Sequence, residues 1–173
     1  WSFHQHGPQQ QFGNYGLSFI CNMSFYSELF TGTTLAFSQE QQRILTSLLL
    51  EGYQWIIWRG YWDVNALNRQ LFRNADIDKG FSLLFAAHSL MKSSEPEVAD
   101  QIKKMILRNS SFSQVPNSFT GNKHFRESDY TVHRTPTWLA SVRMASERVI
   151  GTELVNEDNL KGYYMADGAL YTY

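Results

Sequence analysis

The sequence predicts an α+β fold, helical up to Gly121 and strand-rich from Asn122 onward, on three observations. Between Asn14 and Gly121 long apolar patterns recur at helical spacing. After Asn122 the patterns shorten and alternate, as half-buried strands do. Between the two regimes, Ser110 to Asn122 collects serines, Pro116, Asn117 and Gly121, the turn chemistry of a connector. The shift in pattern divides the chain into a helical part, residues 1–121, and a sheet part, residues 122–173.

The elements follow in order. WSFHQHGPQQQFGNYG, with two histidines, a proline and three glycines, is too irregular for a helix and reads as a loop entering one. Ser38, with Gln41 three residues on, forms a capping-box signal, and Ile44, Leu48, Leu49 and Tyr53 then repeat on one helical face. Trp55, Trp58 and Trp62 read as an aromatic stripe on a helix, more consistent with core packing than with sugar stacking. Gly80 to Met91 predicts a second helix and Glu95 to Leu107 a third, opened by Ser94 with Glu97, and with Pro96 in the first turn where a missing amide donor is tolerated. Beyond the connector, Tyr130, Val132 and Arg134 alternate with Thr131 and His133. Trp138 to Met144, bounded by Pro136, predicts another strand, and Tyr171 to Tyr173 is strand-like. There is no repeat of fixed period, and the only low-complexity tract, Gln9 to Gln11, is too short to interpret.

Bulk properties narrow the function. Hydrophobic and aromatic contents of 43% and 15% argue against disorder. A formal net charge of −1 provides no basic field, so nucleic acid is disfavoured, and a polyanionic partner must be held by a few placed arginines. The single cysteine, Cys21, excludes an internal disulfide and reads as a core residue between apolar neighbours. No apolar run approaches the roughly 20 residues of a membrane-spanning helix. The chain opens on Trp1 without an initiator methionine or a signal-peptide pattern, so both ends are expected to be cut.

Two clusters stand out chemically. The opening loop brings His4, His6 and Tyr15 among glycines, which permit close backbone approach. His4 and His6 lack a third and fourth ligand at short spacing, so no metal site is expected. In WRGYWDVNALNRQLFRN, Arg69 and Arg73 stand four apart and would share a helical face. That spacing leaves open both bidentate recognition of carboxylate or sulfate and a salt-bridged surface. His88 reads as structural within an apolar helix, and His124 and His133 have no evident partner. The glycosylation patterns Asn22 to Ser24 and Asn109 to Ser111 carry little weight, because they arise often by chance.

SFHQHGPQQQFGNYG resembles the segment of family 8 polysaccharide lyases, the chondroitin AC and hyaluronan lyase group, in which a catalytic tyrosine follows a catalytic histidine by nine positions, as Tyr15 follows His6. The stretch ending in Arg69 and Arg73 resembles that family's arginine pair. SVRMASERVIGTELVNEDNLKGYYMADGALYTY is similar to its passage from helical domain to β-sandwich, including Gly162, Tyr163, Asp167 and Gly168. The resemblance implies the C-terminal part of an incomplete α/α toroid followed by the first strands of an antiparallel β-sandwich. It implies a fragment lacking flanking parts of its own parent chain, with the carboxylate-contacting asparagine and the aromatic substrate patch upstream of Trp1. Two departures are Trp1, where acidic or glycine residues are usual, and Asn68, where a small residue is expected before the first arginine.

The implied chemistry is β-elimination at a uronate in chondroitin or hyaluronan. Tyr15 would act as general base and then acid, His6 would help neutralise the uronate carboxylate, and Arg73 would bind substrate anion. A tyrosine hydroxyl ordinarily titrates near about 10, so a phenolate at neutral pH needs cationic neighbours, and Arg69 is the candidate. Glu153, with Glu157 as a competitor, would orient an arginine. The resemblance further implies an acidic polysaccharide partner, no cofactor for the reaction, room for a structural calcium elsewhere in the full-length protein, and a secreted or periplasmic bacterial location. Alternatives are a xanthan-type lyase and a catalytically silent glycan-binding module. The isolated piece is expected to be inactive.

Overall fold

Residues 2–110 and 117–173 are described by the computed structural model. Trp1 and residues 111–116 of the expected connector, including Pro116 and the Ser111 of the second glycosylation pattern, lie outside the described residues. The chain begins with a loop that enters a π-turn, Phe12–Gly16, and runs without a break into α1, Leu17–Phe30. Helix α2, Gln39–Ser47, starts at Ser38 with both halves of the capping box formed, and a second π-turn, Leu48–Gly52, extends it. A 3-10 turn, Tyr53–Trp55, leads to a hairpin of β1, Ile57–Trp58, and β2, Tyr61–Trp62. After a 3-10 turn, Val64–Ala66, come α3, Ala75–Lys92, and α4, Pro96–Asn109.

The second part is a four-stranded antiparallel sheet in sequential order. It comprises β3, Gly121–Phe125; β4, Tyr130–Arg134; β5, Leu139–Met144; and β6, Asp167–Thr172. Alternation in β4 and β5 buries Tyr130, Val132 and Arg134, then Leu139, Ser141 and Arg143, on the face turned toward the helical part. Between β5 and β6 the chain makes a long irregular excursion, residues 145–161, closed by a 3-10 turn at Gly162–Ala166.

Several expectations are corrected in detail. Trp55, Trp58 and Trp62 do not form a helical stripe: Trp55 lies in the 3-10 turn, and the other two sit on the hairpin that the helical reading missed. The core assignment survives for Trp58 and Trp62, which are buried. Ile44 is exposed, although Leu48, Leu49 and Tyr53 are buried. Helix α3 begins five residues before Gly80, because Asn74 adopts a left-handed conformation that ends the preceding irregular stretch. Ser94 does not cap α4; its hydroxyl turns back to the Leu90 carbonyl, and Glu95 is the capping residue, with Pro96 in the first turn. Cys21 is half-buried rather than core, its Sγ toward the Ser82 carbonyl, and burial pushes its thiol pKa up. His88 is exposed, while His124 bonds Thr131 and His133 packs on Trp138, partners that were not foreseen.

One hydrophobic core runs through both parts. Phe12 stacks edge-on against Tyr53 at 4.8 Å and against Phe125 at 5.7 Å, and Phe125 continues to Tyr130 at 5.5 Å. The polar seam is equally shared. Buried Asp63 accepts the hydroxyls of Tyr130 and Tyr173 and the Asn65 amide, and desolvation holds its pKa above the usual carboxylate range. Arg134 donates to the carbonyls of Gln54, Trp55 and Ile57, and burial lowers its pKa to about 10. No helix among the described residues is long and apolar enough to cross a membrane.

Helix α3 is pressed against the hairpin where Gly80 faces the Gly60 carbonyl, a contact that leaves no room for a methyl group. Gly80→Ala is expected to destabilise the polypeptide by about 3 kcal/mol through overpacking. Ser38→Ala, which removes only the cap, is expected to cost about 1 kcal/mol. Urea denaturation of both variants checks the order; a Gly80→Ala cost no larger than that of Ser38→Ala would contradict the packing.

Candidate active site

The site assembles from three stretches far apart in sequence: the opening loop with its π-turn, the turn after Ala66, and the excursion between β5 and β6. The opening loop is shaped by its glycines and a left-handed His6 at φ +59. Tyr15 lies in the π-turn, a geometry that recurs at functional sites. Gly16, beside it, packs so closely on the Tyr53 hydroxyl and the Gln11 carbonyl that a Cβ would lie 2.6 and 2.7 Å from them. Gly13 abuts the second stretch in the same way, its absent Cβ standing 2.6 Å from the Ala66 carbonyl.

Glu153 is the meeting point. One carboxylate oxygen accepts His6 Nδ1 at 2.6 Å, and the other accepts Gln11 Nε2 at 3.0 Å and pairs closely with Arg69. Its backbone amide donates to Gln9 Oε1 at 3.0 Å. Arg69 also meets Asp158, Nε to Oδ2, at 3.2 Å. Tyr15 completes the group, with its ring edge-on to the His6 imidazole at 4.9 Å and the Arg69 guanidinium 5.6 Å from its centroid. The carboxylate acceptor makes Nδ1 the donating nitrogen of His6; Nε2 lies on the exposed side, where it meets only the Gln5 side-chain amide, at 3.5 Å.

Of the five residues singled out from the sequence, His6, Tyr15, Arg69 and Glu153 are brought together. Arg73 is not: it is exposed on the stretch before α3, and the expected helical turn between it and Arg69 does not form. Left-handed Asn68 and Asn74 bracket that segment and break the helix, so one guanidinium turns inward and the other outward. Glu153, and not Glu157, meets the arginine; the unforeseen second partner is Asp158.

The supporting groups were also missed. Gln9, Gln10 and Gln11 are all buried, and two of them hold Glu153. Asn68, noted only as a departure, donates to the Gln10 carbonyl and to Gln11 Oε1 and accepts from Arg143. Arg143, on β5, also binds the carbonyls of Asn65 and Gly151, fixing the Arg69 turn and the excursion that carries Glu153 to the sheet. Burial lowers its pKa to about 10. The only signal for these residues was their place inside the motif stretches; periodicity carries none. Among the described residues no group of three or more His, Cys, Asp or Glu is placed to hold a metal ion.

The family model described as polysaccharide lyase family 8, N terminal alpha-helical domain, matches residues 1–108, and that for the family's super-sandwich domain matches residues 120–173. A chondroitinase-AC of Pedobacter heparinus is 31% identical over 98% of this chain and 24% of its own length. A hyaluronate lyase of Thermasporomyces composti is 25% identical over 98% of the chain and 26% of its own length. Among solved structures, a chondroitinase AC lyase superposes with TM-score 0.81 at 26% identity, over 99% of this chain and 25% of that one. A Paenibacillus xanthan lyase superposes with TM-score 0.85 at 17% identity, over 99% of this chain and 19% of that one, a likeness of fold. The chain spans about a quarter of the length of the curated relatives it matches across nearly its whole extent. By both family matches, and by the helices followed by an antiparallel sheet that they describe, the chain belongs to polysaccharide lyase family 8.

Proposed function

We propose that the polypeptide carrying this segment cleaves uronate-containing glycosaminoglycans, chondroitin or hyaluronan, by β-elimination. The observation that carries the reading is the convergence of His6, Tyr15, Arg69 and Glu153 from three separate stretches, with the phenol ring against both an imidazole and a guanidinium. Glycosaminoglycans are preferred to xanthan because the relatives matched by sequence are named for chondroitin and hyaluronate.

In this reaction the proton on C5 of the uronate leaves as a C4–C5 double bond forms and the C4–O bond breaks. The C5 proton passes to the Tyr15 oxygen, and Tyr15 returns a proton to the departing oxygen, so no water is consumed. The carbanion that develops next to the carboxylate carries extra negative charge, which preorganised donors must meet. In its imidazolium form His6 offers Nε2–H to that carboxylate, while its Nδ1–H donates to Glu153. Arg69, anchored by Glu153 and Asp158, keeps positive charge over the phenol ring. Arg73, exposed nearby in sequence, binds a neighbouring anion of the polymer. Residues 1–121 supply part of the catalytic helical domain, and 122–173 begin the sandwich domain. A polymer too large to enter a cell places the enzyme in the periplasm or outside the cell. The reaction requires no cofactor, and a structural calcium belongs, if anywhere, to the rest of the parent chain.

Tyr15→Phe in the full-length polypeptide is expected to lower turnover by about 10²- to 10⁴-fold with substrate affinity retained, because only the transferable proton is lost. The check is the ultraviolet absorbance of the unsaturated uronate; turnover close to that of the parent would refute the base assignment. If the unmutated parent bound the polymer and produced no such absorbance, a silent glycan-binding module would replace the enzyme reading. The 173 residues by themselves, about a quarter of the relatives' length, are expected to show little or no turnover. Robust activity from them would show that the described centre is sufficient.

A further inference from the structure

Helix α3 buries a lysine for which the reaction above has no use. Lys79 is 7% exposed, and its ammonium donates to the carbonyl of Gly13 and to Gln70 Oε1 at 2.6 Å, with the Phe72 ring 5.6 Å away. Both acceptors are neutral. Among the described residues no carboxylate lies within ion-pair distance of it, although Asp76 and Asp78 occupy the first turn of the same helix. Burial without a counter-charge lowers the pKa of this ammonium to about 8. A cation placed this way costs folding free energy that an apolar side chain of similar length would not.

What the lysine joins explains its presence. Gly13 belongs to the π-turn that presents Tyr15 two residues later, and Gln70 directly follows Arg69. One ammonium therefore bridges the segment carrying the phenol and the segment carrying the guanidinium. Its helix cannot drift, because Gly80, the next residue, is pressed against the Gly60 carbonyl. The alignment of Tyr15 with Arg69 is otherwise set by the Gly13 contact with Ala66, by the Asn68 bonds to Gln10 and Gln11, and by Glu153, which holds Gln11 and Arg69 on one oxygen. Glu153 and Arg143 reach in from the sheet part; Lys79 is the tie that reaches in from the helical part, and it grips the π-turn itself.

We infer that Lys79 is a positioning residue for the elimination, a clamp that holds the Tyr15 π-turn in register with the Arg69 turn. This assignment rests on the reading of Tyr15 as the proton-transfer residue, and its test separates the two. In the full-length polypeptide, Lys79→Met removes charge and donor together, whereas Lys79→Gln keeps a neutral donor on a stem one atom shorter. Lys79→Met is expected to lower kcat by about 10²-fold with KM little changed, since misplacement of a reacting group by about 1 Å has effects of that size. Lys79→Gln is expected to recover most of that loss. Hydrogen exchange of the backbone amides from Phe12 to Leu17, read by mass spectrometry, is expected to quicken in the methionine variant and to stay slow in the glutamine variant.

Unchanged kcat and unchanged exchange in Lys79→Met would overturn the clamp. So would equal loss of activity in both variants with exchange unchanged, which would make the lysine a source of charge rather than of register. If Lys79→Met fails to fold, the glutamine variant decides: folded with near-parental kcat and exchange, it supports the clamp, and unfolded as well, it reduces Lys79 to a structural group and overturns it. If the parent yields no unsaturated uronate, the lyase reading fails, and the exchange pattern alone then tests whether Lys79 holds the two turns together.

Discussion

The centre depends on a single buried carboxylate. Glu153 lies more than 140 residues from His6 and Gln11 and more than 80 from Arg69, and it is only 7% exposed with Arg69 at 4%. A carboxylate taken out of water at that depth is tolerable only when its lone pairs are used, and here an imidazole, an amide and a guanidinium use them. The same bonds close the long chain loops that separate the three stretches. Removing the carboxylate would leave Arg69 buried with only the half-exposed Asp158 as a counter-charge, the situation in which breaking a buried pair is most costly. Because its oxygens are occupied, Glu153 serves as an anchor rather than as a proton acceptor.

The anchor is itself held by the sheet. Arg143 reaches from β5 to the Gly151 carbonyl, two residues before Glu153, and to Asn65 and Asn68 on the turn that leads to Arg69. Asn68 passes the constraint on to Gln10 and Gln11, and Gln11 returns it to Glu153. This closed circuit of hydrogen bonds fixes the relative positions of helical turn, opening loop and sheet excursion. The boundary between a helical part and a sheet part is therefore a boundary of secondary structure and not of packing: Phe12 and Phe125 share one core, and the site straddles the seam. A segment cut at that seam would lose Glu153 from the centre it organises.

How much of this could be read from residues depends on how local each determinant is. The capping box at Ser38 and the alternation in β4 and β5 are short-range signals, and they formed as read. The tryptophans at 55, 58 and 62 fit a helical period, but Arg59 and Gly60 both adopt left-handed backbone conformations and turn the chain into a hairpin. The arginine pair failed for a similar reason: spacing of four has meaning only on a helix, and Asn68 and Asn74 break that segment. His6 and Tyr15 entered through motif resemblance, not pattern. Gln9, Gln11, Lys79 and Arg143 bear no periodic signature, because what makes them matter is which amide, carboxylate or carbonyl groups the folded chain brings to them.

The centre has a closed side and an open one, and the two respond differently to their surroundings. Arg69 and Glu153 are enclosed, while His6 is 44% exposed and Asp158 42%. Salt screens exposed charges over roughly 10 Å at 0.1 M but acts weakly on a buried pair. With a net charge of only −1 the chain has no general basic field, so attraction of a polyanion of the kind proposed above would rest on single exposed cations such as Arg73, which lies outside the centre. Ionic strength would thus act on the proposed encounter with a polymer, whereas the register of phenol and guanidinium is set by contacts that solvent ions do not reach.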